Sequence, residues 1–295
     1  MKFSEIRNQF KNYALYERGM AVNSYKETIA SMEKFVDFAK TDNLKKLDEW
    51  IAREFLHVQG AERAWAPKTF RNQRQYLKGF FDWCVKRGFV AKNPAENIEK
   101  PKLPKRLPRC LTKEQTTTVL AHIRWHEWRY KFEGIRNEAI IMTFLFTGLR
   151  LRELLNLEVL DVNLEDETIF VRKGKGSKDR IVPIHPRLLP VLRGYVSEHK
   201  KQGGASRWFF TGIKSDKRLG AKNVQEICRK ISMASGIKFT PHMLRHTFGR
   251  LATDGDLNLY KLKEIMGHSD VSTTQIYLSV SKNSLKESFS KICLF

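Results

Sequence analysis

Residues Lys100 to Arg109 read K-P-K-L-P-K-R-L-P-R, and this stretch divides the chain. It carries three prolines and five cations without a single acid. Proline lacks a backbone N–H and turns its predecessor away from helix, so neither flank continues through the segment as a helix. Residues 99–110 therefore read as an extended basic linker between a domain over 1–98 and another over 111–295.

On the N-terminal side the pattern is helical throughout. Tyr25, Ile29, Met32, Val36 and Ala39 recur at three-to-four spacing behind an Asn23 or Ser24 cap. A second helix is expected from Pro67 to Arg87, stopped by Gly88. Phe70, Leu77, Phe80, Phe81 and Cys84 are assigned to its core side, and Lys68, Arg71, Arg74 and Lys78 to a cationic side. A cationic outer face equally suits plain solvation of a surface helix.

Beyond the linker the pattern is mixed. Thr112 to Ile123 reads as a capped helix and Arg136 to Phe146 as a buried one. Thr168 to Arg172 and Arg180 to Ile184 are short β-branched runs around Lys173 to Asp179, the pattern of a hairpin with a long turn. Helices resume after Pro186, with a further short strand expected at Trp208 to Phe210. The fold class is thus mostly α with a small β-sheet.

Composition narrows the function. The 295 residues hold 54 Lys plus Arg against 32 Asp plus Glu, a formal charge of +22. Such a chain seeks polyanions, and because its cations are spread along the whole sequence, nucleic acid is favoured over a membrane surface. Lys102, Lys105 and Arg106 in the linker then join Lys68, Arg71, Arg74 and Lys78 as candidate DNA contacts. The longest apolar stretch, Ala139 to Phe146, is too short to span a bilayer, and the N-terminus does not read as a signal peptide; a cytoplasmic, nucleoid-associated protein is expected. The four cysteines form no C-x-x-C pair, so neither zinc nor a disulfide framework is signalled.

Four segments carry chemistry. In T-G-L-R-L-R-E, Gly148 permits a sharp turn after the buried helix, and Glu153 lies three residues from Arg150, in reach of its guanidinium. In K-G-K-G-S-K, Lys175 stands between two glycines in the hairpin turn, where a lysine can approach a backbone closely and act as general acid. Thr240 and Pro241 start a helix that puts His242 and Arg245 on one face. His242 with His246 also has the i, i+4 spacing of a metal pair, but no third ligand is evident and no metal or other cofactor is expected. Finally, Gly267 ends one helix, His268 follows in a loop, and Ser272 with Gln275 forms a capping box for a helix whose first turns hold Tyr277. Each segment alone fits an ordinary surface pair, a solvated turn or a core tyrosine.

Their order and types together resemble the tyrosine recombinases of the phage integrase family, close to the Xer branch. That family runs G-L-R-x-x-E, a lysine in a G-K-G-x-K hairpin, H-x-x-R-H, then L-G-H-S and a tyrosine; only Met266 departs here, replacing the leucine. The resemblance extends to N-P-A-E-N-I at Asn93 to Ile98 and to the linker. It implies a helical SAM-like core-binding domain and a mixed α+β catalytic domain with a C-terminal tail helix, forming a C-shaped clamp around DNA. It implies Tyr277 as nucleophile, Arg150 and Arg245 as clamps on the nonbridging oxygens, and His268 as a further donor. Lys175 would serve as general acid, His242 would handle the tyrosine proton, and Glu153 would be the supporting acid. The partners implied are a double-stranded DNA recombination site and a homo-tetramer, or related recombinase subunits, on two such sites.

Two other classes stand beside this reading: a noncatalytic DNA-binding or architectural protein on the same fold, and an enzyme resembling type IB topoisomerases. Leu285, Phe289 and Ile292 form a stripe in the tail that suits burial by a neighbouring copy or by the chain's own domain.

Overall fold

The computed structural model describes residues 1–103, 107–172, 179–203, 205–213 and 215–267. It divides into two compact units, Met1–Lys105 and Arg106–Phe295.

The first unit is built from α1 (Phe3–Asn12), α2 (Val22–Ala39), α3 (Glu49–Glu62) and α4 (Pro67–Lys86). Pro67 occupies the first turn of α4, where its missing N–H has no intrahelical partner to lose. Gly88, just past the end, takes φ of +72°. The α2 helix starts at Val22, slightly ahead of the expected Asn23 or Ser24 cap. Aromatic side chains dominate the core: Phe10, Phe35, Phe55, Phe80 and Phe81 are all fully enclosed. Phe10 meets Phe80 edge-on at 5.0 Å, a favourable arrangement of ring quadrupoles.

The segment N-P-A-E-N-I packs under α4. Asn93 donates to the Lys78 carbonyl at 3.0 Å and to Asp82 at 2.7 Å, while its own oxygen accepts from the Ala95 N–H at 2.8 Å. Ala95 and Ile98 are buried. Arg74 completes the anchor, its Nε donating to the Ile98 carbonyl and Nη2 to the Glu96 carbonyl at 2.6 Å.

The second unit is organised around α6 (Lys131–Thr147), in which Ala139, Ile140, Ile141 and Phe144 are completely buried. Against it pack α5 (Lys113–Trp125), α8 (Leu189–Lys201) and α10 (Pro241–Asp254), with α7 (Leu151–Leu155), α9 (Ala221–Ser235) and α11 (Leu259–Met266) around them. Thr112 caps α5 as expected, its hydroxyl accepting from the Gln115 N–H and the Gln115 side chain returning the bond.

Three antiparallel strands form one sheet in the order β1 (Val162–Asn163), β2 (Thr168–Val171), β3 (Arg180–Pro183). Ile169 pairs with Val182 and Val171 with Arg180, so these residues share the inward face, while Phe170 and Ile181 pair on the outward one. Trp208 to Phe210 is not a strand: only Trp208 makes an isolated bridge, to Glu158, because Phe209 and Phe210 turn both rings into the core beside Tyr195. No described helix is long and apolar enough to cross a membrane.

Candidate active site

The site grows from the ends of three helices. The α6 helix stops at Gly148, whose φ of +61° is the left-handed conformation open to glycine. A Cβ there would also collide with the ring of Phe248, so any larger residue is strained at this turn. Arg150 follows as the N-terminal cap of α7, its N–H bonded to Glu153 Oε2 at 2.8 Å and its Nη1 to Oε1 at 2.6 Å.

Thr240 caps α10 by accepting from the Met243 N–H at 3.3 Å, and Pro241 fills the first turn. That start turns Arg245 inward, where it is 3% exposed. Its Nη1 donates to the Gly148 carbonyl and its Nη2 to the Met266 carbonyl at 2.8 Å.

The third helix, α11, ends at Gly267 with φ of +62°. Its last carbonyls have no partner within the helix and face an arginine cluster. Arg180 Nε donates to Ile265 at 2.7 Å, Arg245 to Met266 at 2.8 Å, and Arg150 Nη2 to Gly267 at 2.8 Å. Three cations thus meet the negative end of one helix dipole on three successive residues.

Glu153 ties the cluster together, 8% exposed and contacted from both sides. Glu153 does lie within reach of Arg150, as the sequence predicts, but its bidentate partner is Arg180, whose Nη1 and Nη2 meet Oε1 and Oε2 at 3.1 and 2.8 Å. Arg150 supplies one backbone and one side-chain bond instead, because as the cap residue its N–H already points at Glu153. Burial alone would raise the Glu153 carboxyl; hydrogen bonds from Arg180 and from the Arg150 N–H, with the charge of Arg180, outweigh it and hold the group at about 2.

His242 is exposed and its Nε2 lies 3.0 Å from that of His246 one turn on. Burial, with the charges of His242 and Arg245, pushes His246 down to about 4, so it is neutral at pH 7. The structure therefore brings Arg150, Glu153 and Arg245 together with Arg180, with His242 on the same helix as Arg245. Lys175, His268 and Tyr277 lie outside the described residues, as do Lys105 and Arg106.

Arg180 is the member that motif reading missed. Its signal was an arginine at an inward position of an alternating strand, on the same face as Val182.

The candidate DNA contacts divide. Lys68 and Lys102 are exposed and Arg71 is partly so. Lys78 is ion-paired with Glu96 at 2.6 Å and Asp82 at 3.0 Å. Arg74 requires a correction: it is 4% exposed, and its guanidinium is committed to the 93–98 segment rather than to a cationic face. Four residues past Phe70 and seven before Phe81, it stands on the apolar stripe of α4.

A helical unit is followed by a mixed unit with an arginine cluster at three helix ends, and the family model for the phage integrase family matches residues 109–284. The chain belongs to that family, and it is a tyrosine site-specific recombinase. It is 30% identical over 287 residues to tyrosine recombinase XerA of Pyrococcus furiosus, spanning 96% of this chain and 92% of that protein. It is 27% identical to tyrosine recombinase XerD of Staphylococcus epidermidis, over 97% of each. Among solved structures, XerH recombinase bound to a palindromic difH substrate in a post-cleavage complex superposes with a TM-score of 0.76 at 25% identity, over 97% of this chain and 84% of that one. A lambda integrase dimer on a core site shares the fold at a TM-score of 0.72 and 15% identity, over 94% of this chain and 77% of that one.

Proposed function

We propose that this chain cuts and rejoins DNA at a defined site through a 3′-phosphotyrosine on Tyr277. The phenol loses its proton, its oxygen bonds to phosphorus, and the bond from phosphorus to the 5′ oxygen breaks as Lys175 protonates that oxygen. The bond energy is stored in the phosphotyrosine, so rejoining by another 5′ hydroxyl uses neither ATP nor a metal. Arg150 and Arg245, which stay charged at any physiological pH, neutralise the developing oxyanions, with His268 as a further donor. His242 takes the tyrosine proton.

The observation that carries this reading is the convergence of Arg150 and Arg245 on the carbonyls of Gly267 and Met266, the residues immediately before His268. Residues 1–98 serve as the core-binding domain, with Lys68 and Arg71 on phosphates, and the basic linker follows the backbone. Four copies assemble on two DNA sites, through a tail whose stripe of Leu285, Phe289 and Ile292 suits burial in a neighbour. A substrate of chromosomal or element DNA places the protein in the cytoplasm with the nucleoid.

The test uses DNA fragments flanking the protein's own gene, incubated with protein and chelator and then denatured. A protein–DNA adduct from wild type that Tyr277→Phe cannot form supports the reading and locates the site. An adduct undiminished in Tyr277→Phe moves the nucleophile elsewhere, and site-specific binding with no adduct, even on nicked DNA, points to a noncatalytic DNA-binding protein. Truncation after Ser281 is expected to weaken pairing of two sites more than binding to one.

A further inference from the structure

We propose that Arg180 is a positioning residue for strand cleavage, joining two parts of the recombinase site that the chain does not connect directly; the inference rests on the reading above. Its guanidinium grips the Glu153 carboxylate with two nitrogens at 2.8 and 3.1 Å, while Nε holds the Ile265 carbonyl at 2.7 Å. Through Glu153 it fixes Arg150, which shares that carboxylate. Through Ile265 it fixes the end of α11, the last turn before His268 and, further on, Tyr277 in the sequence.

A second feature shows that the space was shaped around this side chain. A Cβ on Gly267 would lie 2.9 Å from Arg180 Nη1, 3.1 Å from Cζ and 3.2 Å from Cδ, all under normal contact. The side chain cannot swing away cheaply, because both ends of its guanidinium are engaged and it is only 7% exposed. Glycine at 267 thus serves the arginine as well as the left-handed turn. Arg180 also opens β3, five residues after Lys175 in the sequence, so one residue links β3 to α7 and α11.

Arginine rather than lysine is required by this geometry. A lysine supplies a cation for Glu153 but no planar fork to reach Ile265 at the same time. A displacement of about 1 Å in a reacting group costs on the order of a hundredfold in rate.

Arg180→Lys and Arg180→Gln would be compared with wild type on a nicked duplex carrying the cleavage site. Affinity, melting temperature and the rate of adduct formation by fully bound protein are each measured. Arg180→Lys is expected to fold and bind within about threefold of wild type while its bound complex reacts about 10- to 100-fold more slowly, with Arg180→Gln slower still. The same deficit should persist on DNA whose 5′ bridging oxygen is sulfur, a leaving group that departs without a proton. Arg180→Lys reacting at the wild-type rate once bound would overturn the inference, since a purely stabilising role alters only the folded fraction. Recovery of the full rate on the sulfur substrate would also overturn it, assigning Arg180 to leaving-group protonation instead. Wild-type protein that forms no adduct would sink the recombinase reading itself, an outcome separate from either.

Discussion

Nε2 of His246 stands 3.0 Å from Nε2 of His242, one helical turn apart on α10. One ring donates to the other, so the protonation state of the half-buried His246 bears on what the exposed His242 offers to solvent or substrate. His246 is held at about 4 by burial and by the charges of His242 and Arg245. Between pH 4 and the ordinary histidine value of about 6.5 the unfolded chain binds the extra proton and the folded chain does not. Stability is therefore complete above that range and falls as pH drops through it. Urea midpoints between pH 7 and pH 4 should decline less for His246→Gln than for wild type; parallel curves would remove His246 from the titration.

Glu153 acts in a lower window. Its folded value of about 2 lies below that of the unfolded carboxyl, so its contribution is full above about pH 4.5 and disappears toward pH 2. The shift corresponds to roughly 3 kcal/mol. Glu153→Gln removes the carboxylate that Arg180 and Arg150 share and is expected to lose about 3 kcal/mol at neutral pH. The variant should then show little of the wild-type decline between pH 4.5 and 2. Denaturant titrations of both proteins at pH 7 and pH 3 give the comparison.

Gly148→Ala places a methyl group against Phe248 in a backbone conformation that disfavours it. Overpacking of this kind costs about 1–3 kcal/mol, with roughly another 1 kcal/mol for the left-handed backbone. A double-mutant cycle with Phe248→Ala should give a coupling of at least about 1 kcal/mol, because the smaller side chain removes the clash. Additive losses would mean that the backbone, not Phe248, is the obstacle.

Lys68→Ala and Arg71→Ala are expected to weaken DNA binding and each reduce the salt-dependence slope by about 1, leaving the melting temperature close to wild type. Arg74→Ala should do the reverse, lowering the melting temperature because the Glu96 and Ile98 carbonyls lose their donor. Affinity measured at three salt concentrations beside thermal melts separates the two behaviours. A drop in slope for Arg74→Ala with unchanged stability would restore it to the DNA face.

Much of this is legible in the sequence. The bounds of α4, the Thr240 cap, the hairpin strands and the stop at Gly267 follow from local rules, since proline, glycine and capping residues act on their immediate neighbours. The arginines at 150 and 245 were visible through their motifs. Arg180 and Arg74 were not, because each owes its role to carbonyls far along the chain: Ile265 lies 85 residues from Arg180, and Ile98 lies 24 from Arg74. A charged residue on a buried stripe is read as a surface residue until its partner is known. Strand β1, two residues long, has too little pattern to announce itself.

The anchoring of Glu96 and Ile98 by Arg74 also has a mechanical side. Tension drawn along the chain from residue 99 onward arrives first at these two carbonyls. It passes through one rigid, planar guanidinium into the middle of α4 instead of peeling the 93–98 segment away from its end. Asn93 and the buried Ala95 and Ile98 share the load behind it. A pull on the linker is therefore met as a shear across a helix whose Phe80 and Phe81 are enclosed in the core.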